Sequence, residues 1–185
     1  MIGVAIWKQL QYYYLSKLYN EEKRENAIFM KSFKSSVLES GAVSMEYLRR
    51  EIKFDYLDLL YKKNIKGYKK IKEKLIVIFS ELSCSVCQNI EIKFIKNFVN
   101  KFGSKSVIAI FWSPNKSYVY NYIRVSRVSF SVYFAKDEQF FKTNRIRHFP
   151  LLLLIDENNR VIMAHYPIPG FPQYSKYFHL FCLSL

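Results

Sequence analysis

Glycine, proline and cysteine are scarce in this chain, which has five glycines, five prolines and three cysteines among 185 residues. So few glycines and prolines exclude collagen-like, low-complexity and linker-dominated proteins. Three cysteines are too few for a small domain that is held together by disulfides. Hydrophobic residues make up 50% of the chain and aromatic residues 18%, which is enough for a substantial core. We therefore expect one folded domain, or one domain with a helical appendage.

Long apolar runs are also missing. No window holds about 18 uninterrupted apolar residues, so we predict no transmembrane span. The apolar start of the chain, from Met1 to Trp7, is interrupted by Lys8 and Gln9, and no basic segment precedes it. We therefore expect no signal peptide in this sequence.

Acidic residues are outnumbered, with 15 against 29 basic ones and a formal net charge of +14. Such a charge raises nucleic acid or an anionic membrane surface as a partner. The excess is evenly spread, because residues 1–74 and 75–185 each carry +7. The densest basic stretch, residues 62–74, is interpreted as a solvated helix end and connector and not as a phosphate-binding patch. Nucleic acid is therefore not favoured, whereas peripheral contact with a membrane is compatible with the charge.

The first third of the chain has helical patterns. Apolar residues fall near one face over residues 4–33, and breaks are expected at Ser35, Ser36 and Gly41. Apolar residues recur at spacings of three and four over residues 44–63, which predicts a second helix. We accordingly assign residues 1–66 to an N-terminal helical extension.

From residue 75 onward, predicted strands alternate with predicted helices, which indicates an α/β architecture. The predicted strands cover residues 75–79, 107–112, 129–134, 151–155 and 161–164, with a hairpin joining the last two. The predicted helices cover residues 88–102, 116–125 and 173–183, and residues 136–147 are expected to form a polar helix or loop.

A Cys-x-x-Cys pair, Cys84 and Cys87, lies between the first of these strands and the first of these helices. Two cysteines with this spacing in the first turn of a helix face one another. The unpaired backbone N–H groups at a helix start favour the thiolate form of a cysteine there. The simplest chemistry of such a pair is reversible exchange between dithiol and disulfide.

Two segments stand out within this order of elements: residues 79–87, Phe-Ser-Glu-Leu-Ser-Cys-Ser-Val-Cys, and residues 149–156, Phe-Pro-Leu-Leu-Leu-Leu-Ile-Asp. Together with the order of elements they resemble the thioredoxin-like superfamily, and within it the bacterial TlpA-like thiol-disulfide oxidoreductases. The resemblance implies that residues 67–185 form a thioredoxin-like domain, a central mixed sheet flanked by helices. It also implies that Pro150 has a cis peptide bond and lies opposite the cysteines.

The resemblance further implies a thiol-disulfide oxidoreductase that exchanges disulfides with protein disulfides or dithiols. Cys84 would be the attacking thiolate and Cys87 the resolving thiol, and physical reasoning agrees, since Cys84 should lie at the exposed helix start and Cys87 nearly one turn inside. Phe149 and Pro150 would contact the substrate. TlpA-like resemblance implies the bacterial cell envelope or periplasm, whereas a reducing enzyme of this class would also suit the cytoplasm.

The sequence departs from the family pattern at two places. Family members commonly have Trp directly before the first cysteine, where this chain has Ser83, a residue that can cap a helix. The buried acid that many thioredoxins carry on the preceding strand is replaced by Ile78. Glu81 is a candidate replacement for that acid, although a solvent-facing loop carboxylate is the simpler interpretation. His148 is a candidate to stabilise a thiolate, against the simpler interpretation of a surface histidine.

Two other interpretations compete with the redox enzyme. Cys84, Cys87, His179 and Cys182 could form a zinc site, but the spacing is not diagnostic, and a buried Cys182 with no metal is the favoured interpretation. The second interpretation is a redox-silent thioredoxin-fold interaction module whose basic, aromatic surface holds an acidic partner.

No motif for a small-molecule cofactor is found in the sequence, so no cofactor is predicted.

Overall fold

The computed structural model describes residues 2–81, 85–135, 137–168 and 172–185. The chain divides into two compact units, Met1–Leu38 and Glu39–Leu185. Helix α1 spans Ile2–Tyr47, so the first unit is helical throughout its described residues. None of the helices in the described part of the chain is long and apolar enough to cross a membrane.

Six strands of the second unit form one mixed sheet in the order β1-β4-β3-β2-β5-β6. The strands are β1 (Leu57–Tyr61), β2 (Lys74–Ser80), β3 (Val107–Trp112), β4 (Val132–Ala135), β5 (Leu151–Ile155) and β6 (Val161–His165). β2, β3 and β4 are mutually parallel, whereas β1, β5 and β6 pair antiparallel with their neighbours. The central strands are therefore the apolar runs that the sequence marks most clearly.

Four further helices accompany the sheet in the part of the chain that the structure describes. They are α2 (Ser85–Phe102), α3 (Lys116–Val125), α4 (Gln139–Asn144) and α5 (Pro172–Ser184), with a short 3-10 helix at Ser104–Ser106. The α/β architecture with its mixed sheet confirms the predicted fold class. Most predicted elements from residue 75 onward lie within a few residues of their observed bounds, although the strand expected at residues 129–134 begins later, at Val132.

The core has two parts, one on each face of the sheet, because successive side chains of a strand point to opposite faces. In β2, Leu75 and Val77 belong to one buried cluster, which includes the apolar stripe of α2 and Phe178 of α5. Ile76 and Ile78 belong to the other, which includes Tyr47 at the end of α1 and side chains of α4. Each face of β2 is thus covered, which explains why its sequence is continuously apolar.

The second helix predicted at residues 44–63 is wrong. α1 continues through Gly41 without the expected break and ends at Tyr47, and Arg49 then adopts a left-handed φ of 64°. Glu51 then forms an isolated bridge with Arg160, residues 55–56 form a turn, and Leu57–Tyr61 is strand β1, which pairs with β4. Leu and Tyr at these spacings fit a helix as well as a strand, and here the pairing with β4 overrides the helical pattern.

The basic segment at residues 62–73 is a connector between β1 and β2, and its lysines are exposed. Its backbone crosses the end of α2 closely, because a Cβ atom at Gly67 would lie 2.2 Å from the backbone N of Gly103. Lys69 N–H donates to the carbonyl of Lys101 at 2.9 Å and fixes the crossing. The interpretation as a connector holds, but the segment follows a strand and not a helix.

Candidate active site

The Cys-x-x-Cys sequence lies where the chain passes from β2 to α2. Cys84 is outside the described residues, and it immediately precedes Ser85, the first residue of α2. Cys87 belongs to the first turn of α2, and its side chain is outside the described part of the structure. Ser83, the predicted cap, is likewise outside the described residues. The sequence position of both cysteines at a helix start is therefore the basis for their chemistry.

Two side-chain hydrogen bonds fix residues on either side of the cysteines in the sequence. Gln88, which is buried in the first turns of α2, donates through Nε2 to the carbonyl of Ser80 at 2.6 Å. Glu81, which follows β2, is half-buried, and its Oε2 accepts from Ser113 Oγ at 2.6 Å. Glu81 is therefore fixed against the turn after β3 and is not a freely solvated loop carboxylate.

Pro150 is buried one residue before β5, and the Phe149–Pro150 peptide bond is cis. Leu151, the next residue, pairs with Ile78 near the end of β2. Pro150 thus lies at the end of the sheet from which the chain continues to Cys84. Ile78 is fully buried in the sheet, as the sequence implies.

Two aromatic rings, Trp112 at the end of β3 and Phe141 of α4, pack against Phe149 at this end of the sheet. The rings of Phe149 and Trp112 are nearly parallel, with centroids 6.2 Å apart and 16° between planes. Phe141 meets both rings edge-on, at 78° to Phe149 and 77° to Trp112. These rings, with Lys142, Arg145 and Arg147 nearby, line a pocket of about 340 Å³. This basic, aromatic pocket is referred to below as the aromatic-arginine pocket.

A buried polar pair joins α2 to α5. Glu91 is fully buried, and its Oε2 lies 2.6 Å from Nε2 of His179. Phe94 stacks on the His179 ring with centroids 4.0 Å apart and 10° between planes. The other oxygen, Oε1 of Glu91, is buried and has no hydrogen-bond partner among the described residues. Positions 87 and 91 are four apart in α2 and therefore fall on one face of the helix.

A second buried histidine lies beside this pair. Nε2 of His165 is 2.8 Å from Ser175 Oγ, and the rings of His165 and His179 are 6.4 Å apart. Burial lowers the pKa of His165 to about 4, since desolvation disfavours the charged imidazolium. His165 is accordingly neutral at physiological pH.

The third cysteine, Cys182, is a fully buried free thiol of α5. Burial raises its pKa to about 12, so it carries no thiolate near neutral pH. The described residues include no cluster of three or more side chains able to hold a metal ion. His179, one of the residues of the zinc interpretation, is bonded to Glu91, whereas Cys84 and the side chain of Cys87 are outside the described residues.

His148, the other candidate modulator, is half-buried directly before Phe149. Its ring lies 5.3 Å from the ring of Tyr166 at a tilt of 58°. This contact gives His148 a packing role, and its influence on a thiolate stays a prediction.

Known proteins match this chain in structure only. No protein-family model and no curated protein matches the sequence. A protein from Chlorobium tepidum, assigned as the thiol:disulfide interchange protein DsbE, matches with 17% identity and a TM-score of 0.50, over 71% of this chain and 99% of that one. A thioredoxin-like protein solved in the oxidized form matches with 11% identity and a TM-score of 0.51, over 74% of this chain and 95% of that one. The chain has the thioredoxin-like fold. The resemblance drawn from the sequence is thereby confirmed at the level of the fold.

Within the thioredoxin-like fold, the Glu91–His179 pair is a feature that the sequence patterns above do not predict. A signal was present, because Glu91 precedes Phe94 and Ile95 by three and four residues and so falls on the apolar stripe of α2. A carboxylate within a buried stripe requires a partner. Only the packing of α5 against α2 identifies that partner as His179.

Proposed function

We propose that this protein is a thiol-disulfide oxidoreductase that acts on protein disulfides or dithiols through Cys84 and Cys87. The observation that carries the proposal is the position of the Cys-x-x-Cys sequence at the start of α2, directly after the central strand β2 of a thioredoxin-like fold. Helix starts lower the pKa of cysteine thiols, and only the thiolate attacks a disulfide.

In the reducing direction, the Cys84 thiolate attacks one sulfur of the substrate disulfide and releases the other as a thiolate. Cys87, once deprotonated, then attacks Sγ of Cys84, which breaks the mixed disulfide and releases the second substrate thiolate. The substrate gains two electrons, and the protein is left with a Cys84–Cys87 disulfide. The reverse sequence oxidises a dithiol, and the direction depends on the relative reduction potentials.

Two features of the surroundings support this proposal. Pro150 lies at the same end of the sheet as the start of α2, where it can contact an extended substrate segment beside Phe149. Gln88 fixes the first turns of α2 to the end of β2, so that the helix start is held in place.

Cysteine variants test the proposal. Cys84→Ser should abolish disulfide reduction in an insulin or small-disulfide assay, because it removes the attacking thiolate. Cys87→Ala should accumulate mixed disulfides with protein partners, visible on non-reducing gels. Cys182→Ala is the matched control and should retain exchange, since this thiol is buried and protonated. Full activity of the Cys84→Ser protein would overturn the proposal.

A redox-silent interaction module is the second candidate, and the aromatic-arginine pocket favours it, because a binding surface needs no reactive thiol. An inert Cys84–Cys87 pair together with retained partner binding would support this function over the enzyme.

A further inference from the structure

The floor of the aromatic-arginine pocket is apolar, and its rim, formed by Arg145 and Arg147, is basic. Trp112 and Phe149 are half-buried, so part of each ring is accessible from the pocket. Arg145 and Arg147 are exposed at its edge, and neither forms a salt bridge with any described residue. Such a surface suits a ligand that has an apolar group beside negative charge.

The charge of the rim is not neutralised locally. Among the described residues that line the pocket, Glu138 is the only acidic one, and its Oε2 is 3.0 Å from Nζ of Lys142. This pair leaves the charges of Arg145 and Arg147 in excess. Arginine guanidinium groups bind carboxylates in a two-pronged geometry, which favours Asp or Glu side chains as their partners.

The backbone that carries the arginines is held in place before any ligand arrives. The buried Tyr47 hydroxyl donates to the carbonyl of Arg145 at 3.2 Å and accepts from the N–H of Arg147 at 3.3 Å. The buried side chain of Asn144 donates to the carbonyl of Lys53 at 2.8 Å and accepts from the N–H of Lys53 at 2.8 Å. Because the backbone of the rim is already fixed, it loses little conformational entropy when a ligand binds.

We propose that the aromatic-arginine pocket is a substrate subsite for an acidic segment of a partner protein, with one bulky apolar side chain seated on Trp112 and Phe149. This inference rests on the proposed function, since it names the class of protein on which Cys84 and Cys87 act. Phe149 directly precedes Pro150, so an extended segment that passes Pro150 can place a neighbouring side chain in the pocket. A volume of about 340 Å³ accommodates one large side chain.

Peptide binding to the full chain with Cys84→Ser and Cys87→Ser tests the inference without covalent capture. The probe is a short, fluorescein-labelled, cysteine-free peptide with one phenylalanine flanked by glutamates. One comparison peptide replaces the glutamates with lysine, and another replaces the phenylalanine with alanine. Anisotropy titrations should give a Kd at least about tenfold lower for the probe than for either comparison peptide, and the Kd should rise with salt.

Variants of the rim identify the site. Arg145→Asn with Arg147→Gln should raise the Kd of the probe about tenfold, because two carboxylate contacts are lost. Asparagine suits position 145, where φ is 53°. Lys62→Gln with Lys105→Gln is the matched control, since these residues line a different basic depression and the same charge is removed. The control should leave the Kd within about twofold of the parent.

Several results would overturn the inference: no saturable binding of the probe, equal binding of the lysine peptide, or equal loss in the control and rim variants. If the rim variant fails to fold, the comparison of peptides and of salt concentrations on the chain with Cys84→Ser and Cys87→Ser still tests the inference. Reduction of a small disulfide by the cysteine-intact protein tests the proposed function separately. Activity without probe binding overturns only the subsite, whereas probe binding without activity supports the acidic ligand and overturns the enzyme.

Discussion

Glu91 of α2 and His179 of α5 are joined by a hydrogen bond of 2.6 Å in the interior of the protein. A buried carboxylate is costly unless it is hydrogen-bonded, so this contact stabilises the packing of α5 on the helix that begins with the cysteines. The described structure offers Glu91 no other side-chain partner, and its Oε1 has none. The stability of the α2–α5 contact should therefore depend strongly on His179.

We expect His179→Leu to lower the free energy of unfolding by about 3 kcal/mol, because it leaves the Glu91 carboxylate buried without a partner. The double variant Glu91→Leu with His179→Leu should recover to within about 1 kcal/mol of the parent, since an apolar pair replaces the polar one. Urea denaturation checks both values.

The exposed pair of Glu138 and Lys142, 3.0 Å apart, is the matched control for this experiment. Lys142→Ala should cost less than about 1 kcal/mol, because water screens and solvates both charges. If His179→Leu is no more destabilising than Lys142→Ala, the buried pair contributes little and the account of the α2–α5 contact is wrong.

Tyr47→Phe tests the anchoring of the arginine-bearing backbone. The hydroxyl of Tyr47 bonds to the backbone of Arg145 and Arg147, and its loss should lower the free energy of unfolding by about 1 kcal/mol. The same change should weaken binding of the acidic probe without altering reduction of a small disulfide. Tyr56→Phe is the control, because Tyr56 is 55% exposed. Identical behaviour of the two variants would show that the Tyr47 hydroxyl does not anchor the rim.

Replacement by alanine should have different effects on stability at two glycines, Gly67 and Gly41. A Cβ at Gly67 would lie 2.2 Å from backbone atoms of Phe102 and Gly103, so Gly67→Ala must move the connector or the end of α2. We expect a loss of about 3 kcal/mol. At Gly41, within α1, a Cβ would meet nothing within 4 Å. Gly41→Ala should therefore be neutral or stabilise the protein by up to about 1 kcal/mol. Thermal melts of both variants measure these changes in stability. A Gly67→Ala protein as stable as the parent would contradict the close crossing.

His165 should make stability depend on pH. Its pKa is about 4 in the folded protein and 6.5 in its ordinary state, so the unfolded chain binds its proton first as the pH falls. The stability is fully present above pH 6.5 and decreases toward pH 4. Relative to His165→Gln, the wild-type protein should lose about 2 kcal/mol between about pH 7.5 and about pH 5.

Urea denaturation across this pH range measures the difference between the two proteins. Gln retains a hydrogen-bonding group for Ser175, so the comparison isolates the imidazole. Parallel curves for wild type and His165→Gln would mean that His165 is not held neutral by burial.

The sequence predicts the central sheet well because its strands are short, continuous apolar runs. β2 and β5 are buried on both faces, and their residues have no helical alternative of comparable length. Residues 44–63 were mispredicted because Ile52 and Leu59 have a spacing that also fits a helix. Their conformation depends on pairing with β4 and on contacts near β6, which are distant in sequence.

The same distinction between local patterns and distant contacts applies to the candidate site. The Cys-x-x-Cys pair and Phe149–Pro150 are local motifs, so the sequence alone identifies them. The Glu91–His179 pair and the aromatic-arginine pocket join residues from separate elements, and their partners become visible only when the chain is folded. For Glu81 the sequence offers both a replacement for the missing buried acid and, more simply, a solvent-facing loop carboxylate. The contact with Ser113, which lies after a different strand, contradicts the simpler of the two interpretations.

A redox titration of Cys84 and Cys87 in glutathione buffers, with intact mass and thiol alkylation as the readouts, tests the proposed chemistry most directly. We expect a reversible two-electron transition, with the oxidised protein lighter by two hydrogens and the buried Cys182 unmodified throughout. A midpoint between about −270 and −120 mV would match proteins that exchange disulfides through this kind of motif. A thiol pair that does not interconvert reversibly with a Cys84–Cys87 disulfide would contradict the central claim.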